Sequence, residues 1–326
     1  MSGIRRKIML VKLLEPLNVP NEQIEKYGQE IKDLGHEFIY YNEKTTDMDE
    51  LMKRSEDADV IMIANNPYPT EVIDSNKQLK LINVAFTGVD HVGIADANNQ
   101  EIMISNAAGY ADQAVAELAI GLVLDLYRGV TVGDTVIRQT ESYTPFQGRE
   151  IAGKTVGIVG TGNIGIRTAK LFSAFGAKLI GYDVSENTEA KELGLEYVTL
   201  DELMAQGDIV SLHVPLIPST KGMISAERVG LMKKEAILIN TARGPVVDND
   251  ALADALNKEE IAGAGIDVFD MEPPIPGDYK LLHAKNTVLT PHVAFLSDES
   301  MERRAKIAFD NTIAFLNGEP TNIINR

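Results

Sequence analysis

The sequence predicts an α/β protein built on two parallel sheets, and three observations predict it. Short apolar runs alternate with amphipathic helical patterns through the first hundred residues, the same rhythm restarts after residue 153, and a glycine-rich turn joins a strand to a helix in the second half. Strands spaced by helices pair in parallel, because each helical crossover lies on a face of the sheet and buries it. The 326 residues suffice for two domains, at about 100–200 residues per domain.

Taken in order, Lys7–Leu14, Glu37–Tyr41, Asp59–Ala64 and Leu81–Phe86 read as strands. Glu22–Leu34, closed by Gly35, and Met48–Ser55 read as amphipathic helices between them. Tyr110–Leu126 is apolar on nearly every side, broken by Glu117 and Asp125. A helix of that kind is expected to be buried between domains or subunits. Thr140–Gly153 is polar and reads as an extended connection. The second series of strands is Thr155–Val159, Lys178–Tyr182, Asp208–His213, Ala236–Asn240, Gly263–Val268 and Thr287–Thr290, with helices at Asn163–Phe175, Leu200–Ala205 and Asn249–Leu256. A last helix, Asp298–Leu316, has Ser297 as its cap and Gly318 as its stop.

Composition excludes several classes of function. With 31 basic and 48 acidic residues the formal net charge is −17. Such a chain repels a phosphate backbone, so no nucleic-acid partner is expected. The absence of cysteine excludes disulfides, thiolate metal sites and a cysteine nucleophile, and fits a reducing compartment. The most apolar stretch, Ala114–Leu124, contains Glu117 and is too short for a bilayer. A soluble, cytoplasmic protein with no membrane partner and no metal is expected.

The turn Gly160-Thr161-Gly162-Asn163-Ile164-Gly165 has the G-x-G-x-x-G spacing between a strand and a helix. Gly160 permits the tight turn, Gly162 lets backbone approach a pyrophosphate, and Gly165 lets helix and strand pack closely. The helix N-terminus then offers N–H groups to the anion. Asp183 ends the next strand, where a carboxylate accepts hydrogen bonds from an adenosine ribose and repels a 2′-phosphate. Val184 and Ser185 follow, with no arginine to hold that phosphate, so NAD is favoured over NADP. His213-Val214-Pro215 closes another strand of this unit and is expected to line the adenine side.

Three ionisable residues stand just past strands of the second unit: Arg243, Glu272 and His292. Ligands of open parallel sheets bind outside the carboxyl ends of strands, so the three can converge on one cleft. Arginine offers a rigid fork for a carboxylate. A histidine beside a glutamate is held in one tautomer and stabilised when protonated. An anion clamp plus a proton donor is what reduction of a 2-oxo acid requires.

Gly160–Gly165, Asn240–Asp248, Gly265–Pro273 and Leu289–His292, together with Phe86–His91 and Ala114–Glu117, resemble the D-isomer-specific 2-hydroxyacid dehydrogenase family over nearly the whole chain. The resemblance implies that Arg243 binds the substrate carboxylate, His292 exchanges the proton with the C2 oxygen, and Glu272 supports the histidine's basicity. It implies that Thr87 and Gly88 offer backbone N–H groups to the carboxylate, that Asp267 holds the nicotinamide carboxamide, and that Thr241 and Ala242 line the nicotinamide. It also implies a flavodoxin-like substrate domain, residues 1–101 plus 292–326, around an inserted Rossmann NAD-binding domain, residues 102–291, in a homodimer. His292-Val293-Ala294-Phe295 is similar to the hydroxypyruvate and glyoxylate reductase branch. D-3-Phosphoglycerate dehydrogenases often carry an arginine on the strand before the Thr87 loop, and Ile82-Asn83-Val84-Ala85 has none. A short D-3-phosphoglycerate dehydrogenase is the second reading and a branched or aromatic 2-oxo acid reductase the third, and an NAD-sensing corepressor-like interaction protein is the reading from a different class.

Overall fold

The computed structural model describes residues 8–139 and 147–325. Lys7 of the expected first strand and residues 140–146 of the expected connection lie outside the described residues. The chain forms two compact units, one of residues 1–111 with 296–326 and the other of residues 112–295.

The first unit carries β1 (Leu10–Leu13), β2 (Glu37–Tyr40), β3 (Val60–Ile63), β4 (Leu81–Val84) and β5 (Met103–Asn106), with α1 (Asn21–Asp33), α2 (Met48–Ser55), α3 (Thr70–Ser75) and α4 (Ile94–Asn99) between them. All pairings are parallel, in the order β2-β1-β3-β4-β5, which is the flavodoxin-like order. Every residue of β3 and β4 is buried, as continuous apolar strands in a doubly covered sheet must be. Strand β5, which carries the first unit past the boundary expected at residue 101, is an edge strand whose second half is polar. Its free edge is covered: Ser105 bridges Ile323, and the Ile324 N–H donates to the Ile104 carbonyl at 2.9 Å.

The second unit begins with α5 (Asp112–Arg128) and α6 (Val130–Gln139), followed by β6 (Thr155–Val159), α7 (Asn163–Ala174), β7 (Lys178–Tyr182), α8 (Thr188–Glu192), β8 (Glu196–Tyr197), α9 (Leu200–Gln206), β9 (Ile209–Leu212), α10 (Ala226–Leu231), β10 (Ile237–Asn240), α11 (Asn249–Asn257), β11 (Gly263–Ile266) and β12 (Thr287–Leu289). These strands form one sheet in the order β12-β11-β10-β9-β6-β7-β8. Counted from β6, that is the 3-2-1-4-5-6 order of a Rossmann sheet plus one further strand, with its topological switch point between β6 and β9.

Tyr110 lies before α5 and belongs to the first unit, so the helix expected from residue 110 starts at Asp112. One face of α5, with Ala119, Ile120 and Val123, joins the core of the second unit against Ile158 and Ile239. Another face, with Leu118, Leu122 and Leu126, lines an apolar groove of about 820 Å³ together with Val288 and Leu289. Helix α12 (Asp298–Leu316) returns to the first unit and buries Ala305, Ala308 and Phe309 in its core. Ser297 and Ser300 form its capping box, and Gly318 follows its end at φ +84°. Among the described residues, no helix is long and apolar enough to cross a membrane.

Candidate active site

At the switch point, β6 runs into Gly160, whose φ of +94° turns the chain toward α7. A Cβ on Gly165 would stand 1.9 Å from the Gly160 carbonyl oxygen, so the helix can enter this turn only with glycine there. Gly162 is the N-cap of α7 and makes no side-chain cap, which leaves first-turn N–H groups for an anion. A Cβ built on Gly162 meets nothing within 4 Å, so its outer side is open to an approaching group. Asn163 is exposed and Ile164 half-buried beside it.

Asp183 follows β7, and its Oδ2 accepts the Thr161 N–H at 2.6 Å and the Thr161 hydroxyl at 3.2 Å. The acid therefore ties the glycine turn to the neighbouring strand, while its Oδ1 accepts the Ser185 N–H at 3.4 Å. Val184 beside it is 95% exposed. The Thr161 hydroxyl also meets the Tyr197 hydroxyl at 2.7 Å. Thr161 was not legible here, since a motif's variable positions carry no signal of their own, and Tyr197 was not because it meets Thr161 from 36 residues away. These features fit a dinucleotide with free ribose hydroxyls.

Across the switch point, the His213 carbonyl and Val214 pack against Gly160. Val214 is half-buried and Pro215 exposed. His213 Nε2 meets Ser211 Oγ at 2.9 Å, and Nδ1 is buried without a hydrogen-bond partner. Burial pushes its pKa down to about 3, so the imidazole is neutral in the folded state. The unfolded chain takes up this proton near pH 6.5, so the stability contribution is complete above that pH and is lost as pH falls toward 3. At pH 5 the loss amounts to about 2 kcal/mol. His213→Asn is expected to remove that increment from the difference in unfolding free energy between pH 7 and pH 5, measured by urea titration. An unchanged difference contradicts it.

The strands β10, β11 and β12 are neighbours, and their carboxyl ends carry the remaining candidates. At the end of β10, the buried Asn240 side chain folds the turn that follows: Oδ1 accepts the Ala242 N–H and Nδ2 donates to the Arg243 carbonyl, both at 3.0 Å. Arg243 is half-buried and donates from Nη1 to the Ala242 carbonyl at 2.7 Å. Thr241 Oγ1 is buried without a partner, a polar atom that an incoming group can satisfy.

Past β12, His292 has φ +55°, a strained conformation for a residue with a side chain. Asp267, fully buried past β11, holds that turn. Its Oδ1 accepts the Thr290 hydroxyl at 2.6 Å and the Val293 N–H at 2.9 Å, its Oδ2 accepts the Ala294 N–H at 2.9 Å, and its carbonyl accepts the His292 N–H at 2.9 Å. Burial pushes the Asp267 carboxyl upward, against these hydrogen bonds and the charge of His292. Two lone pairs on Oδ1 and one on Oδ2 are thus engaged.

Nδ1 of His292 faces both oxygens of Glu272, at 2.8 and 2.9 Å, and the ring meets Phe295 edge-on at 5.5 Å. The imidazole is 16% exposed and the carboxylate 71% exposed. An imidazole fixed through Nδ1 exchanges protons through Nε2. In the first unit, Thr87 is exposed and Gly88 half-buried just past β4, and the Thr87 carbonyl accepts the Asn106 side-chain amide at 2.9 Å.

Residues 120–294 match the family described as D-isomer specific 2-hydroxyacid dehydrogenase, NAD binding domain. A hydroxypyruvate reductase of Blautia hydrogenotrophica is 35% identical over 91% of this chain and 94% of that protein. A glyoxylate reductase of Thermofilum pendens is 39% identical, covering 85% of this chain and 84% of its own length. Among solved structures, a D-lactate dehydrogenase from Aquifex aeolicus, complexed with NAD and lactic acid, superposes with a TM-score of 0.83 at 31% identity, over 97% of this chain and 99% of that one.

Proposed function

Because the chain belongs to the D-isomer-specific 2-hydroxyacid dehydrogenase family, and is an NAD-dependent oxidoreductase, we propose that it reduces a small 2-oxo acid to the D-2-hydroxy acid, with hydroxypyruvate or glyoxylate preferred. The observation that carries this reading is the His292–Glu272 pair beyond β12, on the sheet edge that also carries Arg243 beyond β10. Arg243 holds the substrate carboxylate through its planar fork. His292, protonated and steadied by Glu272, gives its Nε2 proton to the oxygen at C2 as that oxygen becomes an alkoxide.

Gly160, Gly162, Asn163, Ile164 and Gly165 form the turn that would hold the pyrophosphate of NAD, Asp183 would hold its adenosine ribose, and His213, Val214 and Pro215 would line the adenine side. Thr241, Ala242 and Asp267 are the residues that would hold the nicotinamide, which when bound supplies the hydride. Turnover with hydroxypyruvate, glyoxylate, phosphohydroxypyruvate, pyruvate and 2-oxoisocaproate, scored by kcat/KM with NADH and NADPH, tests the assignment. The first two substrates with NADH are expected to lead. A lead for phosphohydroxypyruvate or 2-oxoisocaproate overturns the substrate choice, and no turnover at all favours the NAD-sensing alternative.

Asp183→Ala is expected to narrow the preference for NADH over NADPH by about tenfold or more, because it removes a charged hydrogen bond to the ribose of NADH and relieves a repulsion of the 2′-phosphate of NADPH. Equal use of both cofactors by the unaltered protein contradicts the ribose role.

We place the enzyme in the cytoplasm as a homodimer. The apolar groove beside α5, with Val130 at 61%, Val132 at 58% and Ile137 at 75% exposure on α6, supports association through this face. Light scattering at micromolar concentration should give a dimer, and Val132→Asp with Ile137→Asp a monomer. A monomeric unaltered protein contradicts it.

A further inference from the structure

Arg243 and Glu272 sit on two separate turns, and the structure joins those turns through residues with no role in the scheme above. The first contact is backbone on backbone. A Cβ on Gly244 would lie 1.9 Å from the Phe269 carbonyl oxygen and 2.7 Å from the Asp270 nitrogen, so the chain just past Arg243 rests directly on the chain leading to Glu272.

The second contact is the side chain of Asn249, which is 6% exposed at the start of α11. Its Nδ2 donates to the Gly244 carbonyl at 3.2 Å and to Asp270 Oδ1 at 2.9 Å. One amide group thus uses both N–H donors, one on each turn. Its orientation is fixed by its partners, because the flipped amide would set an oxygen against a carbonyl and a carboxylate. Asn249 is itself held rigidly, since Asp248 caps the helix by accepting the Ala251 N–H at 3.0 Å.

The third contact steadies Asp270 from the other side. Tyr279 donates its hydroxyl to Asp270 Oδ2 at 2.8 Å, and its ring meets Phe269 edge-on at 6.0 Å. Burial, and then the hydrogen bond and charge of Asp270, push the Tyr279 phenol well above its ordinary range, so it stays a donor at working pH. The turn that carries Glu272, whose side chain is 71% exposed, sets where its carboxylate stands toward His292.

We propose that Asn249, with Asp270 and Tyr279, is a positioning residue that locks the Arg243 turn to the Glu272 turn and so sets the geometry of substrate anchoring and of the acid–base pair together. The inference rests on reading Arg243, Glu272 and His292 as the reacting set. None of the three positioning residues touches substrate. Each acts through backbone that carries a residue which does.

Asn249→Asp keeps the shape and removes the two donors, turning an attraction to Asp270 into a repulsion. Its kcat/KM should fall roughly tenfold or more, the scale of a small misplacement of reacting groups. Its pH profile for reduction should move toward that of Glu272→Gln, while NADH affinity by fluorescence titration stays within twofold. Combined with Glu272→Gln, the losses should be less than additive. The exchange Asn249→Asp with Asp270→Asn restores a donor facing an acceptor and should recover part of the activity. Tyr279→Phe, which removes one hydroxyl, should move the profile the same way by less, and it tests the idea if Asn249→Asp fails to fold.

Among the described residues of this unit, Glu272 and Asp267 carry charge toward His292, so Asp267→Asn is measured beside Glu272→Gln to recognise a shift that arises elsewhere. If Glu272→Gln moves the pH profile but Asn249→Asp and Tyr279→Phe do not, or if their losses simply add to it, the lock is refuted and the acid–base pair stands. If Glu272→Gln itself moves nothing, the acid–base pair fails first and takes the proposal with it.

Discussion

His292→Ala is expected to lower kcat for 2-oxo acid reduction by about 10³-fold, within the usual range for removing a positioned general acid. NADH affinity should change little, because the histidine serves the proton and not the cofactor. His292 occupies left-handed backbone at φ +55°, so His292→Asn is the better-controlled variant. Asparagine adopts that conformation more readily than other residues and brings no titratable group. Both variants should lose the same activity.

Glu272→Gln then isolates the carboxylate, which faces Nδ1 at 2.8 and 2.9 Å. Reduction requires imidazolium, the form that a neighbouring negative charge stabilises. Removing the charge should therefore move the loss of reductive activity to lower pH. Oxidation of the hydroxy acid needs neutral imidazole, and at high pH it should be less affected. A solvent isotope effect on kcat checks that proton transfer limits the rate. Profiles unmoved by Glu272→Gln make that residue structural.

Much of this was legible from the chain because the physics was local. The glycine turn, Asp183 at the end of β7, and Arg243, Glu272 and His292 past their strands follow from spacing and from the rule that ligands gather at strand ends. The boundaries of α2 and α12, the cap at Ser297 and the stop at Gly318 are likewise local signals. Strand β5 was missed because Ser105 and Asn106 break its apolar run, and only pairing with β4 and cover from Ile323 make it a strand. Strand β8 is two residues long and exists through β7. The residues missed in the site are of the same kind. Asn240, Asn249, Thr290 and Tyr279 act through partners distant in the chain or through a turn that only the fold defines, and a polar residue's reach across the fold leaves no periodic trace. The family resemblance assigns Asp267 to the cofactor, whereas its place beneath the His292 turn depends on three donors more than twenty residues away.

Arg243→Lys should lower kcat/KM for the 2-oxo acid by about 10²-fold although the charge is kept. An ammonium is a compact point charge with rotatable donors, whereas the guanidinium presents parallel N–H groups in a fixed plane that matches a carboxylate. Arg243 is also pre-set by its own turn, since Nη1 donates to the Ala242 carbonyl and the Asn240 amide holds the Arg243 carbonyl. A lysine inherits the turn but not the plane, so orientation of C2 suffers along with affinity. The loss should therefore appear in kcat as well as in KM, the mark of an interaction that tightens in the transition state. Arg243→Ala should lose more, and added guanidinium should restore part of its activity, which separates loss of the clamp from damage to the turn. NADH affinity is expected to be near normal in both variants. A near-normal kcat/KM in Arg243→Lys, or an Ala variant that guanidinium cannot rescue and that also loses NADH binding, assigns the carboxylate to another cation and leaves Arg243 as a support of its turn.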